Sequence, residues 1–362
     1  MRVKLGEICK FQSGGTPAKG NIEYFGGSIP WITTTALNGG RIDEHNAVDW
    51  ITEKAIKESA AKIVPAFSIM VGTRVGVGKV AVNVVGMSTN QDIISIIDID
   101  EDKWSKDFLC KFIQAKSGYL NSQARGATIK GIKIDVLAAL ELPTLLMREQ
   151  QHISHIIDSV KNMISFRERE LIKLDNLIKA RFVEMFGDVQ HEEKYKGIQL
   201  GELCTTMSGG TPSTKFPEYY EGDIPWISTV SLGPNYIDGT TAKGYITQEA
   251  VDNSATKLIP AGNILFGTRV GVGKSSLNNV DICTNQDIVA IVGIDESKFN
   301  RLFIKHVLDA YQSYYDSIKK GATILGITGD DLKDTLIPNA PIEIQIEFEK
   351  FVNQVDKSKV VW

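Results

Sequence analysis

The eight-residue run "GTRVGVGK" occurs twice in this sequence, at Gly72–Lys79 and again at Gly267–Lys274. A glycine-rich run ending in Gly-Lys suggests a phosphate-binding loop. That loop, however, needs a first glycine, then four residues, then Gly-Lys, and finally a Ser or Thr that holds magnesium. Both copies have one residue too many, and Val80 follows the first copy. The run instead favours a strand, a tight glycine turn and a second strand, with Arg74 and Lys79 projecting from the turn.

Residues that could support other chemistry are sparse. The sequence contains no metal-spaced His/Cys cluster, no helical HExxH, no G-x-S-x-G elbow and no GxGxxG cofactor loop. His152 and His155 lie one helical turn apart, which is more typical of a solvated or packed helix face than of a metal site. These observations argue against an enzyme and predict no catalytic residue, no bound metal and no cofactor.

The composition bounds the class of protein. A chain of 362 residues with 43% hydrophobic residues predicts about two domains. The net charge of −4 gives no overall basic signal for nucleic acid. The four cysteines are scattered without a C-x-x-C pair, which is typical of reduced packing residues in the cytoplasm. No apolar run approaches the roughly 18 residues of a membrane span, and the N-terminal segment lacks the apolar centre of a signal peptide.

The second "GTRVGVGK" is part of a long internal repeat. A constant shift of 195 positions aligns "LGEIC" with "LGELC", and it aligns two copies each of "SGGTP", "IPWI", "TNQDI" and "GATI". A unit of this size is a whole domain and not a solenoid repeat. We therefore predict two copies of one domain, at 1–146 and 196–340, each followed by a helix, at 147–187 and 341–362.

The local pattern within each copy predicts a mixed α+β domain. "SIPWITTT", "SIMVGTRVG" and "DIISIIDI" read as strands bounded by turn residues, and Lys106–Ala124 has the apolar spacing of a helix. The strands are expected to form antiparallel or mixed sheets.

The helix after the first copy has the apolar spacing of a coiled coil. From Arg148 to Phe186, a span of about 60 Å, a seam recurs in alternating steps of four and three residues. Two arginines, Arg167 and Arg181, fall on this seam, where polar residues can set register. The apolar seam residues are Ile153, Ile157, Val160, Ile164, Leu171, Leu174, Ile178 and Met185.

The helix after the second copy is much shorter. Phe348, Val352 and Val355 are the counterparts of the first three seam residues, and the helix has no counterpart of "RERELIKLDNLIKARFVEMFGD". An antiparallel pairing of the two helices would relate the domains by a pseudo-twofold axis. Much of the first helix is then expected to lack a partner within this chain, so either the chain is shortened or the seam pairs with another subunit.

These motifs together resemble the specificity (S) subunit of type I restriction-modification systems. The resemblance rests on "SGGTPAKGNIEYFGGSIPWITT", "GTRVGVGKV", "TNQDI" and the helix "LPTLLMREQQHISHIIDSV…LIKLDNLIKARFVEMFGD", and it covers almost the whole chain. It implies a non-catalytic subunit that binds a bipartite double-stranded DNA target, one half-site per target-recognition domain.

The resemblance also implies partners. These are modification subunits, expected as two, that methylate adenine with S-adenosylmethionine, and restriction subunits that use ATP and Mg to translocate and cleave DNA. The cofactors would belong to those partners and not to this chain. A two-domain scaffold that spaces protein partners without reading DNA is the alternative.

The repeat divides the candidate DNA-binding residues into two groups. Positions shared by both copies are expected to reflect shared architecture or contacts to the DNA backbone, and positions that differ are candidates for base readout. Gln91 and Gln286 are shared, and they are expected either to bond an adenine edge or to pair with backbone. An Arg tied into its own domain's hydrogen bonds stays an open alternative, and Trp31 and Trp226 are interpreted as core residues. The candidates are Thr16, Lys19, Thr33, Thr34, Thr35, Arg41, Arg74, Lys79, Gln91, Arg125 and Lys130 in the first copy, and Thr211, Lys215, Ser228, Thr229, Tyr236, Arg269, Lys274, Gln286, Lys319 and Lys320 in the second.

The similarity of the two copies leads to one more hypothesis. The two half-sites are expected to be an inverted repeat or to share most of their bases.

Overall fold

The computed structural model of the protein describes residues 2–126, 130–191, 194–321 and 323–360. The chain divides into two compact units, Met1–Phe166 and Arg167–Trp362. The boundary falls inside one long helix, α5 (Met147–Phe186), whose first half packs in the first unit and whose second half packs in the second. The predicted helix over Arg148–Phe186 is therefore confirmed to within one residue.

Within the described residues, the first unit is built on two mixed sheets and a small strand pair. The larger sheet has the order β2-β10-β7-β8-β4, and only its β4–β8 pair is parallel. The second sheet has the order β5-β3-β9-β6, with β3 and β9 parallel, and β1 pairs with β11. The strands are β1 (Arg2–Lys4), β2 (Lys10–Ser13), β3 (Phe25–Ile32), β4 (Arg41–Ile42), β5 (Asp49–Ile51), β6 (Ile63–Val64), β7 (Ile69–Gly72), β8 (Val80–Asn83), β9 (Met87–Thr89), β10 (Ile93–Ile97) and β11 (Glu141–Pro143).

The second unit repeats this topology over its described residues. Its larger sheet has the order β13-β20-β17-β18-β15, a second sheet has the order β16-β14-β19, and β12 pairs with β21. The predicted internal repeat is thus reproduced, except that the counterpart of β6 is a single β-bridge between Ile259 and Ile282. The strands are β12 (Gly197–Gln199), β13 (Thr205–Ser208), β14 (Ile224–Ile227), β15 (Tyr236–Ile237), β16 (Gly244–Ile246), β17 (Ile264–Gly267), β18 (Ser275–Asn278), β19 (Cys283–Thr284), β20 (Ile288–Val292) and β21 (Leu336–Pro338).

Helices α2 and α8 pack against the larger sheets, and α1 and α7 pack with the second sheets. Ile69, Ile96 and the α2 residues Leu109 and Ile113 are fully buried in one cluster of the first unit. The helices are α1 (Glu53–Glu58), α2 (Lys106–Ala115), α3 (Ser117–Ser122) and α4 (Ile134–Ala138) in the first unit, and α6 (Leu200–Leu203), α7 (Gln248–Asp252), α8 (Arg301–Ala310), α9 (Gln312–Ile318), α10 (Gly329–Lys333) and α11 (Ile342–Val360) in the second.

The single helix predicted over Lys106–Ala124 is two helices. The chain leaves helical geometry at Lys116, where φ is −88° and ψ is 4°. The break brings Leu120 into the core, where it is fully buried, and lets the Asn121 amide donate to the Val77 carbonyl (2.9 Å). Packing of α3 against the glycine turn thus overrides the continuous helical pattern.

In the second unit, α11 packs antiparallel to the second half of α5. Arg181 donates to Glu347 near the start of α11 (2.8 Å), whereas Asp175 pairs with Lys359 near its end (2.7 Å). The rings of Phe182 and Phe348 lie 5.5 Å apart. The predicted burial of Phe348, Val352 and Val355 is confirmed, since these residues are 0, 0 and 6% exposed.

The first half of α5 is largely uncovered within this chain. Ile153 packs against the core of the first unit, and Ile157 is half-buried, but Val160 and Ile164 are 44 and 55% exposed. This exposure agrees with the expectation that part of the seam lacks a partner within this chain. In the second half, Ile178 is buried in one core with Phe348, Val352 and Val355.

The four cysteines are free thiols, as predicted. Burial raises the pKa of Cys9 to about 12 and the pKa of Cys110 to about 11, so both thiols stay protonated at neutral pH. No helix in the described part of the chain has the length and apolar character needed to cross a membrane.

Candidate functional site

The repeated "GTRVGVGK" run is a glycine turn between β7 and β8, and between β17 and β18. Both strand pairs are antiparallel, which confirms the hairpin prediction and differs from the strand-to-helix geometry of a phosphate loop. Within the turn, the Gly78 N–H donates to the Gly72 carbonyl (3.0 Å), and Gly76 has a φ of +66° that favours glycine. This turn projects Arg74 and its counterpart Arg269 from the edge of the sheet.

The "TNQDI" segment holds this turn in place. The backbone N–H of Thr73 donates to the carbonyl of Asp92 (2.8 Å), and Thr268 makes the same bond to Asp287. The guanidinium of Arg74 lies 3.9 Å from the Asp92 carboxylate with 54% of the side chain exposed, and Arg269 repeats this at 3.8 Å and 55%. An ion pair this long and exposed is weak, so both guanidinium groups are oriented and yet accessible to a ligand.

A third segment, which carries the "GATI" motif, closes over the turn. The Ile327 N–H donates to the Thr268 carbonyl (2.8 Å), and Lys320 forms a β-bridge with Gly326. A Cβ on Gly326 would lie 2.6 Å from the Thr268 carbonyl oxygen, so only glycine permits this close approach. Gly131 repeats the arrangement in the first unit; the "GATI" residues 127–129 and 322 lie outside the described residues.

Gln91 and Gln286 are each fixed by a threonine from the "SGGTP" segment. The hydroxyl of Thr16 donates to the side-chain oxygen of Gln91, and Thr211 donates to Gln286, both at 2.5 Å. Both glutamines are exposed. With the oxygen already accepting one bond, the amide Nε2 is oriented to donate to an acceptor outside the protein.

These segments line a cleft of about 600 Å³ in the second unit. Arg269, Gln286 and Lys320 converge there, and Thr206 and Ser208 of β13 form the wall of the cleft. These side chains offer cationic, amide and hydroxyl donors. Such groups suit binding to phosphates and base edges.

The remaining cationic candidates surround the turn less closely. Lys79 and Lys274 follow the turn on its other side, and both are exposed. Lys19, Lys130 and Lys215 are also exposed. Lys319 donates to Asp316, which lowers the pKa of that carboxyl, so the charge of Lys319 is already partly satisfied.

The threonine and serine candidates after the repeated tryptophan are mostly inaccessible. Thr34 and Thr229 are 4% exposed and Ser228 is 9% exposed, so they belong to the packing of the domain. Thr33 and Thr35 bond to each other through their hydroxyls (2.9 Å). Both tryptophans donate from the indole to a glycine carbonyl at 3.1 Å, in agreement with their interpretation as core residues.

Arg41 and Tyr236 lie at the opposite edge of the larger sheets from β2 and β13. Arg41 lines a separate crevice of about 480 Å³ beside α2, 3.7 Å from Asp107. Tyr236 points to α11, where its hydroxyl donates to Asn353 (3.4 Å), and burial raises its pKa. The structure therefore does not bring these two candidates together with the arginine and glutamine.

Sequence reasoning missed the contribution of β2 and β13. Ser208 and Thr206 line the cleft, and their counterparts are Ser13 and Phe11. The sequence does contain a signal for these residues. In the short strand that precedes "GGTP", residues two apart lie on one face, so Thr206 and Ser208 share a face.

Sequence and structure comparisons place the fold in a known class. The family described as "Type I restriction modification DNA specificity domain" matches residues 1–176 and 192–360. The type I restriction enzyme MjaIX specificity subunit of Methanocaldococcus jannaschii is 26% identical over 97% of this chain and 87% of its own length. The EcoR124I/EcoR124II specificity subunit of Escherichia coli is 32% identical over 44% of this chain and 39% of its own.

Solved structures agree at the level of the fold. A chain from a study of assembly and conformational transition of the type I R-M system has a TM-score of 0.63, with 18% identity over 99% of this chain and 90% of that one. The S subunit from M. genitalium has a TM-score of 0.56, with 13% identity over 99% of this chain and 90% of its own.

The chain has two tandem mixed α+β domains, and the DNA specificity family matches both of them. In each domain an exposed arginine and glutamine, Arg74 with Gln91 and Arg269 with Gln286, form what we call the Arg/Gln site. The chain belongs to the type I restriction-modification DNA specificity family. It is a specificity subunit and not an enzyme, and the comparisons support this role over a scaffold that does not read DNA.

Proposed function

We propose that each domain binds one half-site of a bipartite double-stranded DNA sequence at its Arg/Gln site. The proposal rests on the recurrence of one geometry in both units, in which an exposed arginine and an oriented glutamine amide adjoin each other. Arg74 and Arg269 would grip phosphates or enter a groove, and Gln91 and Gln286 would donate to base edges. Helix α5, which is continuous between the units, would set the gap between the half-sites.

The chain would act within a larger assembly. We propose two modification subunits that methylate adenine with S-adenosylmethionine, and restriction subunits that use ATP and Mg. This chain would itself bind no cofactor, and it would work in the cytoplasm with the DNA. Its net charge of −4 fits an assembly in which other subunits neutralise many of the DNA phosphates.

The test is co-expression with a modification subunit, followed by long-read sequencing of host DNA for methyladenine. One bipartite motif with a fixed gap is expected, and it should disappear when this chain is omitted. Methylation without a motif, or a motif that persists without this chain, would contradict the proposal. A double variant, Arg74→Ala with Arg269→Ala, should reduce methylation at the same motif, since both arginines are assigned to binding and not to assembly.

A further inference from the structure

The two recognition sites share an arginine, a glutamine and a serine and keep a cation at Arg125/Lys320, but they differ in one wall. Arg74, Gln91 and Ser13 have identical counterparts in the second unit, with matching hydrogen bonds for the glutamine. The strand beside them differs, because Phe11 of β2 corresponds to Thr206 of β13. The sites are therefore not chemically equivalent, although their architecture is.

Phe11 makes this wall apolar in the first unit, whereas Thr206 makes it polar in the second. Thr206 lines the cleft of the second unit, and its hydroxyl makes no hydrogen bond within the described residues. Phe11 is half-buried and packs against the cluster that contains Ile94 and Ile132. The counterparts of those two residues, Val289 and Ile327, line the second cleft, so the Phe11 ring covers the equivalent surface.

The loop that closes over the turn differs in the opposite sense, with the polar residue in the first unit. Lys130 of the first unit is exposed and corresponds to Leu325 of the second, which is 56% exposed. The neighbouring Ile324 is 54% exposed and lines the cleft. The loop thus presents a cation in the first unit and an apolar surface in the second.

We infer that these two positions, Phe11/Thr206 and Lys130/Leu325, determine how the two half-sites differ. The inference rests on the proposed DNA-reading function. The residues common to both sites would read the bases that the half-sites share. The two differing positions would read one base pair each.

The chemistry of the side chains defines the expected bases. In the major groove, a lysine selects guanine, apolar groups contact the thymine methyl, and a threonine hydroxyl accepts several bases. The base pair facing the loop is then expected to be guanine for the first domain and thymine for the second. The pair facing the strand is expected to be thymine for the first domain and degenerate for the second.

The test grafts first-domain residues into the second domain. The double variant Thr206→Phe with Leu325→Lys is co-expressed with a modification subunit, and the methylated motif is sequenced. Tyr245→Trp, which grafts Trp50 at an exposed position outside the cleft, is the matched control. The second half-site should adopt the bases of the first at two positions, while the first half-site and the gap stay unchanged. A good base contact discriminates by roughly fivefold to over a hundredfold, which sequencing resolves.

The outcomes separate this inference from the proposed function. A wild-type chain that yields no bipartite motif contradicts the proposed function itself. If the wild-type chain gives a motif and the folded double variant gives the same motif, only the inference is overturned. The inference is also overturned if the folded double variant gives no motif with the grafted bases. Because Thr206→Phe enlarges a partly buried side chain, Leu325→Lys alone and the reciprocal Phe11→Thr provide tests that do not overpack the second domain.

Discussion

Arg74 and Arg269 combine a fixed backbone with a loosely held side chain. The glycine turn and the bond from Thr73 to Asp92 fix the Cα position, whereas the guanidinium contacts Asp92 only at 3.9 Å. The alternative that the arginine serves the internal hydrogen bonding of the domain receives little support from such a long contact. Because its contact with Asp92 is weak, such a side chain gives up little interaction energy within the protein when it forms a charge-assisted bond to phosphate.

Substitution of Arg74 by alanine should weaken DNA binding and leave the fold intact. If the guanidinium neutralises one phosphate, the slope of log K against log salt should fall by about one. Binding of the assembled complex to its motif is measured from 50 to 200 mM salt. Arg41→Ala is the matched control, since Arg41 has similar exposure but lies beside α2. An unchanged slope in a folded Arg74→Ala variant would remove Arg74 from the interface.

For single residues, the sequence predicted which candidates lie together better than it predicted what each of them contacts. The 195-residue repeat puts Arg74 and Gln91 among the shared positions and Arg125 among those that differ. The second copy shows the counterparts of all three in one cleft. Tyr236 was placed among base readers because it differs from Arg41, although it contacts the α11 helix. Differences between repeats also arise where one copy packs against a helix, and a single sequence does not separate the two causes.

The two halves of α5 illustrate the same limit at the scale of elements. The heptad seam predicts an apolar face along the whole helix, with much of it lacking a partner in this chain, and the helix is continuous. However, Ile178 is 3% exposed and Ile164, two heptads earlier, is 55% exposed. The seam defines which face of α5 is apolar. Whether another helix covers that face depends on segments of the chain other than α5.

This difference predicts unequal effects of the same substitution. Ile178→Ala removes buried methyl groups from the core that contains Phe182 and Phe348 and should lower the free energy of unfolding by about 2–4 kcal/mol. Ile164→Ala should change it by less than about 0.5 kcal/mol. Urea unfolding of both variants under identical conditions makes the comparison. Equal losses would mean that Ile164 is also buried in solution.

The contact between α8 and α11 contains a buried histidine without a counterpart in the first unit. His306 packs edge-on against Phe348, with ring centroids 5.2 Å apart and 11% of its side chain exposed. Its Nε2 has no hydrogen-bond partner among the described residues, and Asp309 lies 3.9 Å from Nδ1. Burial, and then the charges of Lys305 and Lys359, hold the pKa of His306 well below its usual value of 6.5.

The lowered pKa of His306 predicts a loss of stability in mild acid. The unfolded chain binds a proton near pH 6.5 and the folded chain does not, so the free energy of unfolding falls as pH drops below 6.5 until the folded pKa is reached. Between pH 7.5 and 5.5 the loss has an upper limit of about 1.4 kcal/mol, set by the pKa of 6.5 in the unfolded chain. His306→Leu should remove this part of the pH dependence, whereas the exposed His152→Leu should retain it. Urea midpoints at the two pH values measure the effect, and parallel profiles for wild type and His306→Leu would contradict it.

At the scale of the whole chain, one duplicated domain and one continuous helix account for the architecture. The strand order repeats between the units, so each domain can carry its own site. The repeat was fully visible in the sequence because its shift is constant. The boundary between the two units, which falls in α5 after Phe166, could not be predicted from the sequence. No change of composition marks the point where the helix passes from one core to the other.

A length change in α5 should therefore change the gap in the recognised sequence. Seven residues inserted after Asn162, where the helix is exposed, preserve the seam and lengthen the helix by about 10 Å, or about three base pairs of DNA. A five-residue insertion turns the following helix by about 140° and disturbs the phase of the two sites. Methylome sequencing should show both half-sites unchanged and a gap wider by about three pairs for the seven-residue variant, with methylation lost for the five-residue variant. A gap that is unchanged in the seven-residue variant would mean that α5 does not set the spacing.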